Sequence, residues 1–222
     1  TSFYARVPKK HADKALDLIA DILQNPLFSE KTIEKERRVI LKEINLHKDE
    51  PRFHQWILFT QTLFKKHPAK LPPYGTAESV KGIRRKDLLN YYTDYYTSNN
   101  TILSIVGNFN KNITQQIKSQ FKRFKSKKLP KIKEIIEPKQ NKIEIKKEKR
   151  KILSSYMVLG YKTVSRTNKD SYTLDVIRSI LGRGQSGKIF DEIRNKRGLA
   201  YEVGVHHDPS SKYGFFAVYL NT

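Results

Sequence analysis

An α+β fold is predicted for this chain of 222 residues. Helix-period apolar spacing fills most of the first half, short alternating apolar runs close the second half as hairpin-like neighbours, and the two kinds of segment mix without the regular alternation of a doubly wound sheet. In order, the spacing predicts helices over Ala12 to Gln24, Ser29 to Lys48, Arg52 to Phe64 and Arg84 to Tyr95. The run TILSIVG alternates towards a buried strand that ends on Gly107, and a helix around Ile113 to Phe124 leads into a basic stretch punctuated by Pro130 and Pro138. Beyond it, KIEIKKE and ILSSYMVLGYK read as strands, Ser171 to Leu181 and Gly187 to Asn195 as helices, and YEVGVHH and GFFAVYL as a strand pair.

Composition bounds the function. With 37% hydrophobic and 11% aromatic residues the chain can bury one large core or two modest ones, so it is not a disordered tail. It has no cysteine, which removes disulfide frameworks, thiolate metal sites and cysteine nucleophiles together. No apolar run approaches the roughly 18 residues of a membrane span, and no signal peptide is visible. A soluble protein is expected, with a cytoplasmic location slightly favoured.

A net charge of +22 and a pI near 10.0 invite a nucleic-acid reading. The charges are densest in FKRFKSKKLPKIKEIIEPKQNKIEIKKEKRK, which is equally the composition of a solvated linker. Lysine outweighs arginine, as in a compositionally biased proteome, so nonspecific polyanion attraction is expected and specific nucleic-acid recognition is not. A nucleic-acid-binding module would show salt-dependent binding indifferent to chelators.

The chemistry-bearing signal lies in the second predicted helix. Glu36 and Glu43 point the same way, because seven residues make about two turns, and Ile33, Val39, Ile40, Ile44 and Leu46 flank that direction. Lys31, Lys35, Arg38, Lys42 and Asn45 take the opposite face. Two carboxylates are thus expected at the centre of a stripe that should be buried, and such groups require a cation, a donor cluster or a metal. His47 follows Glu43 by one turn, and a carboxylate is a normal zinc ligand beside two histidines. Both glutamates could instead reach sideways to basic neighbours.

The strings ALDLIADILQNPLFSEKTIEKERRVILKEINLHKDEPRF, YGTAESVKGIRRKDLLNYYTDYYTSNNTILSIVGNF and LGRGQSGKIFDEIRNKRGLAYEVGV run in this order along nearly the whole chain. Together they resemble the pitrilysin/insulinase family of zinc metallopeptidases, particularly its shorter, mitochondrial-processing-peptidase-like branch. The resemblance implies two related repeats, both truncated here, each a mostly antiparallel sheet with helices packed on one face. Residues 1–124 would be the C-terminal part of the first, zinc-ligand-bearing repeat, 125–141 a basic linker, and 142–222 the N-terminal part of the second.

The family holds its metal with an inverted His-x-x-Glu-His motif, whose glutamate is the general base, and a glutamate on a later helix. ERRVILKE then implies Glu43 as the third zinc ligand and Glu36 as its supporting carboxylate. No pair among His11, His47, His54, His67, His206 and His207 frames the motif. Thr1 to Val7 resembles the region that follows it, so an incomplete zinc site and an inactive fragment of a longer zinc endopeptidase are expected. The implied substrate is a peptide or an unfolded segment. A family member lacking activity, paired as a homo- or heterodimer with another subunit, is the alternative.

RNKRGLAY carries a second implied pair. In the family a matching arginine and tyrosine hold substrate backbone or stabilise the tetrahedral intermediate, which makes Arg194 and Tyr201 candidate substrate-binding residues; Arg194 as a helix cap with Tyr201 in the core remains open. Gly198 is a natural helix C-cap. Gly182, Gly184 and Gly187 spell the dinucleotide fingerprint, but the fingerprint needs a preceding strand, and SYTLDVIRSIL reads as a helix. His206 and His207 should project to opposite sides of a strand.

Overall fold

A computed structural model describes all 222 residues, which form two compact units: Thr1–Val39 with Glu78–Lys133, and Ile40–Ala77 with Glu134–Thr222. Among the helices are α1 (Ala12–Gln24), α2 (Glu30–Asp49), α3 (Pro51–Leu63), α4 (Ala77–Gly82), α5 (Arg85–Tyr95), α6 (Ile113–Gln120), α7 (Asp170–Gly182) and α8 (Lys188–Phe190). The strands are β1 (Tyr156–Thr163), β2 (Glu202–Pro209) and β3 (Gly214–Asn221).

The first unit is helical. Leu16, Ala20 and Leu23 bury one stripe of α1 at helical spacing. The last turn of α1 is tied on by the Tyr92 hydroxyl, which donates to the Leu23 carbonyl at 2.7 Å, and by Gln24 Nε2, which donates to the Gln120 carbonyl at 3.0 Å. Arg37 donates to the carbonyls of Val80, Lys81 and Ile83, satisfying acceptors that the end of α4 would otherwise leave without partners. The predicted strand TILSIVG lies in no sheet: Ile102 and Val106 are 96% and 95% exposed. No neighbouring strand supplies a ladder for it, and alternation without a partner does not make a strand.

The second unit is built on an antiparallel sheet in the order β1-β3-β2. Phe215 and Ala217 on one face of β3 meet Phe59 and Leu63 of α3, with Trp56 packed alongside. Gly160 lies opposite Ala217, and a Cβ there would come within 2.8 Å of the Phe59 ring and 2.5 Å of the Phe216 carbonyl. The other face carries α7, where Gly182 makes room for Val205, and His207 Nδ1 sits 2.9 Å from Asp175 Oδ1. The neighbours His206 and His207 therefore do point to opposite faces, one beside Trp56 and one against α7.

The predicted strand KIEIKKE also lacks a ladder. It is extended along α3 instead, with alternate side chains engaging the helix. Glu144 pairs with Lys65, Lys146 Nζ donates to Gln61 Oε1 at 3.1 Å, His54 Nε2 lies 2.9 Å from Glu148 Oε2, and Arg150 reaches the Lys48 carbonyl. The intervening Ile143 and Ile145 face outward, 85% and 76% exposed.

Candidate functional site

The helix α2 forms where the periodicity places it, with Ser29 and Thr32 bonded to each other at its start. Its half-buried stripe is Ile33, Arg37, Ile40, Leu41, Ile44 and His47, and no residue of the helix is fully buried. Glu36 and Glu43 lie beside that stripe, exposed, sharing their side of the helix with the exposed Val39 and Leu46. This corrects the expectation of two carboxylates at the centre of a buried stripe. The helix carries two apolar stripes, and only the one without the glutamates is packed, so neither carboxylate needs a buried partner. Neither has a hydrogen bond or ion pair.

His47 does not join Glu43. Its ring stacks on Tyr74 at 4.8 Å and 1° and meets the Phe53 ring edge-on at 5.0 Å. Burial raises the Tyr74 phenol above its usual range. This contact holds the turn after Glu43; in the sequence His47 stands out only as a helical neighbour of Glu43, and Tyr74 in PPYG and Phe53 were the available signals.

A zinc ion needs about three protein ligands. No three His, Cys, Asp or Glu side chains converge in the chain. His54 is held by Glu148, His67 Nδ1 accepts from the Ala69 N–H, and His207 is fully buried against Asp175. The residues present do not by themselves fit the metal, and Glu43 offers one open carboxylate.

Arg194 and Tyr201 do come together. After α8 the chain makes a π turn over Asp191–Lys196, and Gly198 at φ 60° closes it, with the Leu199 N–H reaching the Ile193 carbonyl at 3.0 Å. This geometry folds Tyr201 back on Arg194, whose guanidinium lies 4.4 Å from the Tyr201 ring centre and 4.8 Å from that of Phe190. Tyr201 is 76% exposed, so it is not a core residue; its hydroxyl and the guanidinium are donors presented on the surface. The helix α7 runs up to Gly182, so the strand that a dinucleotide fingerprint requires is absent.

Residues 1–77 match the family described as Insulinase (Peptidase family M16), and residues 82–222 the one described as Peptidase M16 inactive domain. A protein of Rickettsia bellii named as an uncharacterized zinc protease is 31% identical over 223 residues, covering 100% of this chain and 53% of its own length. The uncharacterized zinc protease YmxG of Bacillus subtilis is 28% identical over 222 residues, covering 100% and 54%. The chain thus spans about half the length of these relatives. Among solved structures, a protease from Helicobacter pylori superposes with a TM-score of 0.88 at 24% identity, over 97% of this chain and 53% of the other. A chain of Complex III2 from Candida albicans superposes at 0.75 and 18%, over 97% and 53%. These superpositions establish a shared α+β fold.

Proposed function

The chain belongs to the insulinase family, peptidase family M16, and from that membership we propose that it is part of a zinc-dependent endopeptidase acting on peptides or unfolded polypeptide segments. One observation carries the proposal: Glu43 stands on α2 with an exposed, unpaired carboxylate, in a chain whose relatives are named as zinc proteases. The carboxylate would supply one ligand to a zinc ion whose other ligands come from outside these 222 residues. When bound, the metal would polarise a peptide carbonyl and activate water. Glu36 would tune that site as a supporting carboxylate. Arg194 and Tyr201 would donate hydrogen bonds to substrate backbone or to the oxygen on which charge develops. Residues 1–124 would be the C-terminal part of the first, zinc-ligand-bearing repeat, with 125–141 a basic linker to the N-terminal part of the second over 142–222. These 222 residues alone would not cleave peptides.

The experiment compares the full-length polypeptide with its Glu43→Gln variant, for zinc content and for cleavage of an unstructured peptide with and without chelator. Bound zinc and chelator-sensitive cleavage, both lost in the variant, are expected; full cleavage by a variant that retains its zinc would overturn the assignment. The likeness to a Complex III2 chain favours one second reading, a subunit that pairs with another family member without cleaving peptides. That reading predicts no bound zinc in the full-length polypeptide and a stable complex with a partner subunit.

A further inference from the structure

One carboxylate in the basic run, Glu137, is bonded on all sides. The Glu137 carboxylate accepts backbone N–H bonds from Lys65, Lys66 and His67 at 2.7, 2.8 and 2.7 Å, and Lys162 Nζ donates to it at 2.8 Å. Lys162 also donates to the Pro138 carbonyl at 2.7 Å. Both partners of the ion pair are largely out of water, with side chains 12% and 19% exposed. A carboxylate that gathers three N–H donors just past the end of α3, and an ammonium from β1, is no solvated linker charge.

From Glu144 onward the chain is held at every second residue. Glu144, Lys146, Glu148 and Arg150 meet Lys65, Gln61, His54 and the Lys48 carbonyl in turn, so the segment travels back along α3 towards its start. The last contact satisfies a carbonyl at the C-terminal end of α2, where a cation is also favoured by the helix dipole. Glu148 is held below the usual carboxylate range by His54 and Arg150.

We propose that residues 137–150 are a brace latched by Glu137, which fixes α3 and the end of α2 to the sheet. Without the latch, three amides lose their acceptor and the extended segment keeps only pairwise side-chain contacts at its exposed surface, each of which is weak. The brace then detaches from its Glu137 end, and the loosening reaches the α2 terminus through Arg150.

The test is amide hydrogen exchange on the full chain, read peptide by peptide, for the wild type, Glu137→Gln and Lys162→Met. Glutamine keeps the size of the side chain but replaces one accepting oxygen with a donor that opposes the amides. The expected result is exchange at least tenfold faster at 65–67 and across 137–150 in Glu137→Gln, with a smaller rise at 46–50 and none in β2 or α7. Lys162→Met leaves the three amide bonds in place and should show a weaker rise confined to 137–142. Unchanged exchange at 65–67 in Glu137→Gln overturns the proposal. A uniform rise over the whole chain in both variants also overturns it, because Glu137 would then support the fold at large and latch no local segment.

Discussion

Residues 101–107 and 142–148 both read as strands: TILSIVG sets two apolar pairs around Ser104, and KIEIKKE alternates Ile143 and Ile145 with charged residues. Neither lies in a sheet, yet they are held very differently. The first leaves Ile102 and Val106 in solvent, while the second sets Glu144, Lys146 and Glu148 on partners in and just past α3 and leaves Ile143 and Ile145 outside. Alternation reports that a segment has two unlike faces. It does not report which face is held or by what, and here the polar face of the basic segment is the one engaged.

That contrast can be broken most severely from beneath the braced region. Phe59→Ala removes the α3 ring that packs on Phe215 and fills the space over Gly160, and should cost about 4 kcal/mol in chemical denaturation. A loss under 1 kcal/mol would mean that α3 is not the floor on which the brace lies.

A smaller effect, about 2 kcal/mol, should follow the protonation of Glu137. Burial alone would push this carboxyl up, but the Lys162 ammonium and the Lys65, His67 and Lys66 N–H groups outweigh it and hold the group at about 2 instead of 4.5. A group depressed on folding stabilises fully above its unfolded value, so the contribution is complete above about pH 4.5 and disappears as the pH falls towards 2. Stability measured across that window should fall in the wild type and be flatter in Glu137→Gln; parallel curves would refute the assignment. The smallest effect belongs to the free segment. Ile102→Ser and Val106→Ser should each change the stability of this chain by less than about 0.5 kcal/mol, and a loss above 1 kcal/mol would show that these side chains are covered.

The helices were the most legible part of the fold. Ala12 to Gln24 was bounded as observed, and α2, α3 and α5 fall within a residue or two of expectation, because each has a complete apolar stripe and a clear start. The β2–β3 pair was equally readable from its alternation and the turn between. Helix α4 was not, being short and held by Arg37, and the helix expected over Gly187 to Asn195 formed with its second part wound as a π turn. In the candidate site, Arg194 and Tyr201 were singled out by the resemblance that RNKRGLAY carries, and the structure shows the guanidinium against the Tyr201 ring. The side on which α2 is packed did not, since Val39 and Leu46 are as apolar as Ile40 and Ile44 and a helix with two stripes does not say which is covered. Glu137 was invisible for another reason: its partners are mostly backbone amides, which have no letter in a sequence, and in IIEPKQ it looks like one more surface charge.

The alternating grip on α3 has a consequence for chain length. Between Glu144 and Arg150 the side that meets the helix is decided by parity. Inserting or deleting one residue there would turn the gripping side chains away beyond the altered point and bring their outward neighbours to the helix, whereas a change of two residues would restore the pattern. A segment whose composition suggests a tether of arbitrary length is therefore one in which related chains should differ by even numbers of residues.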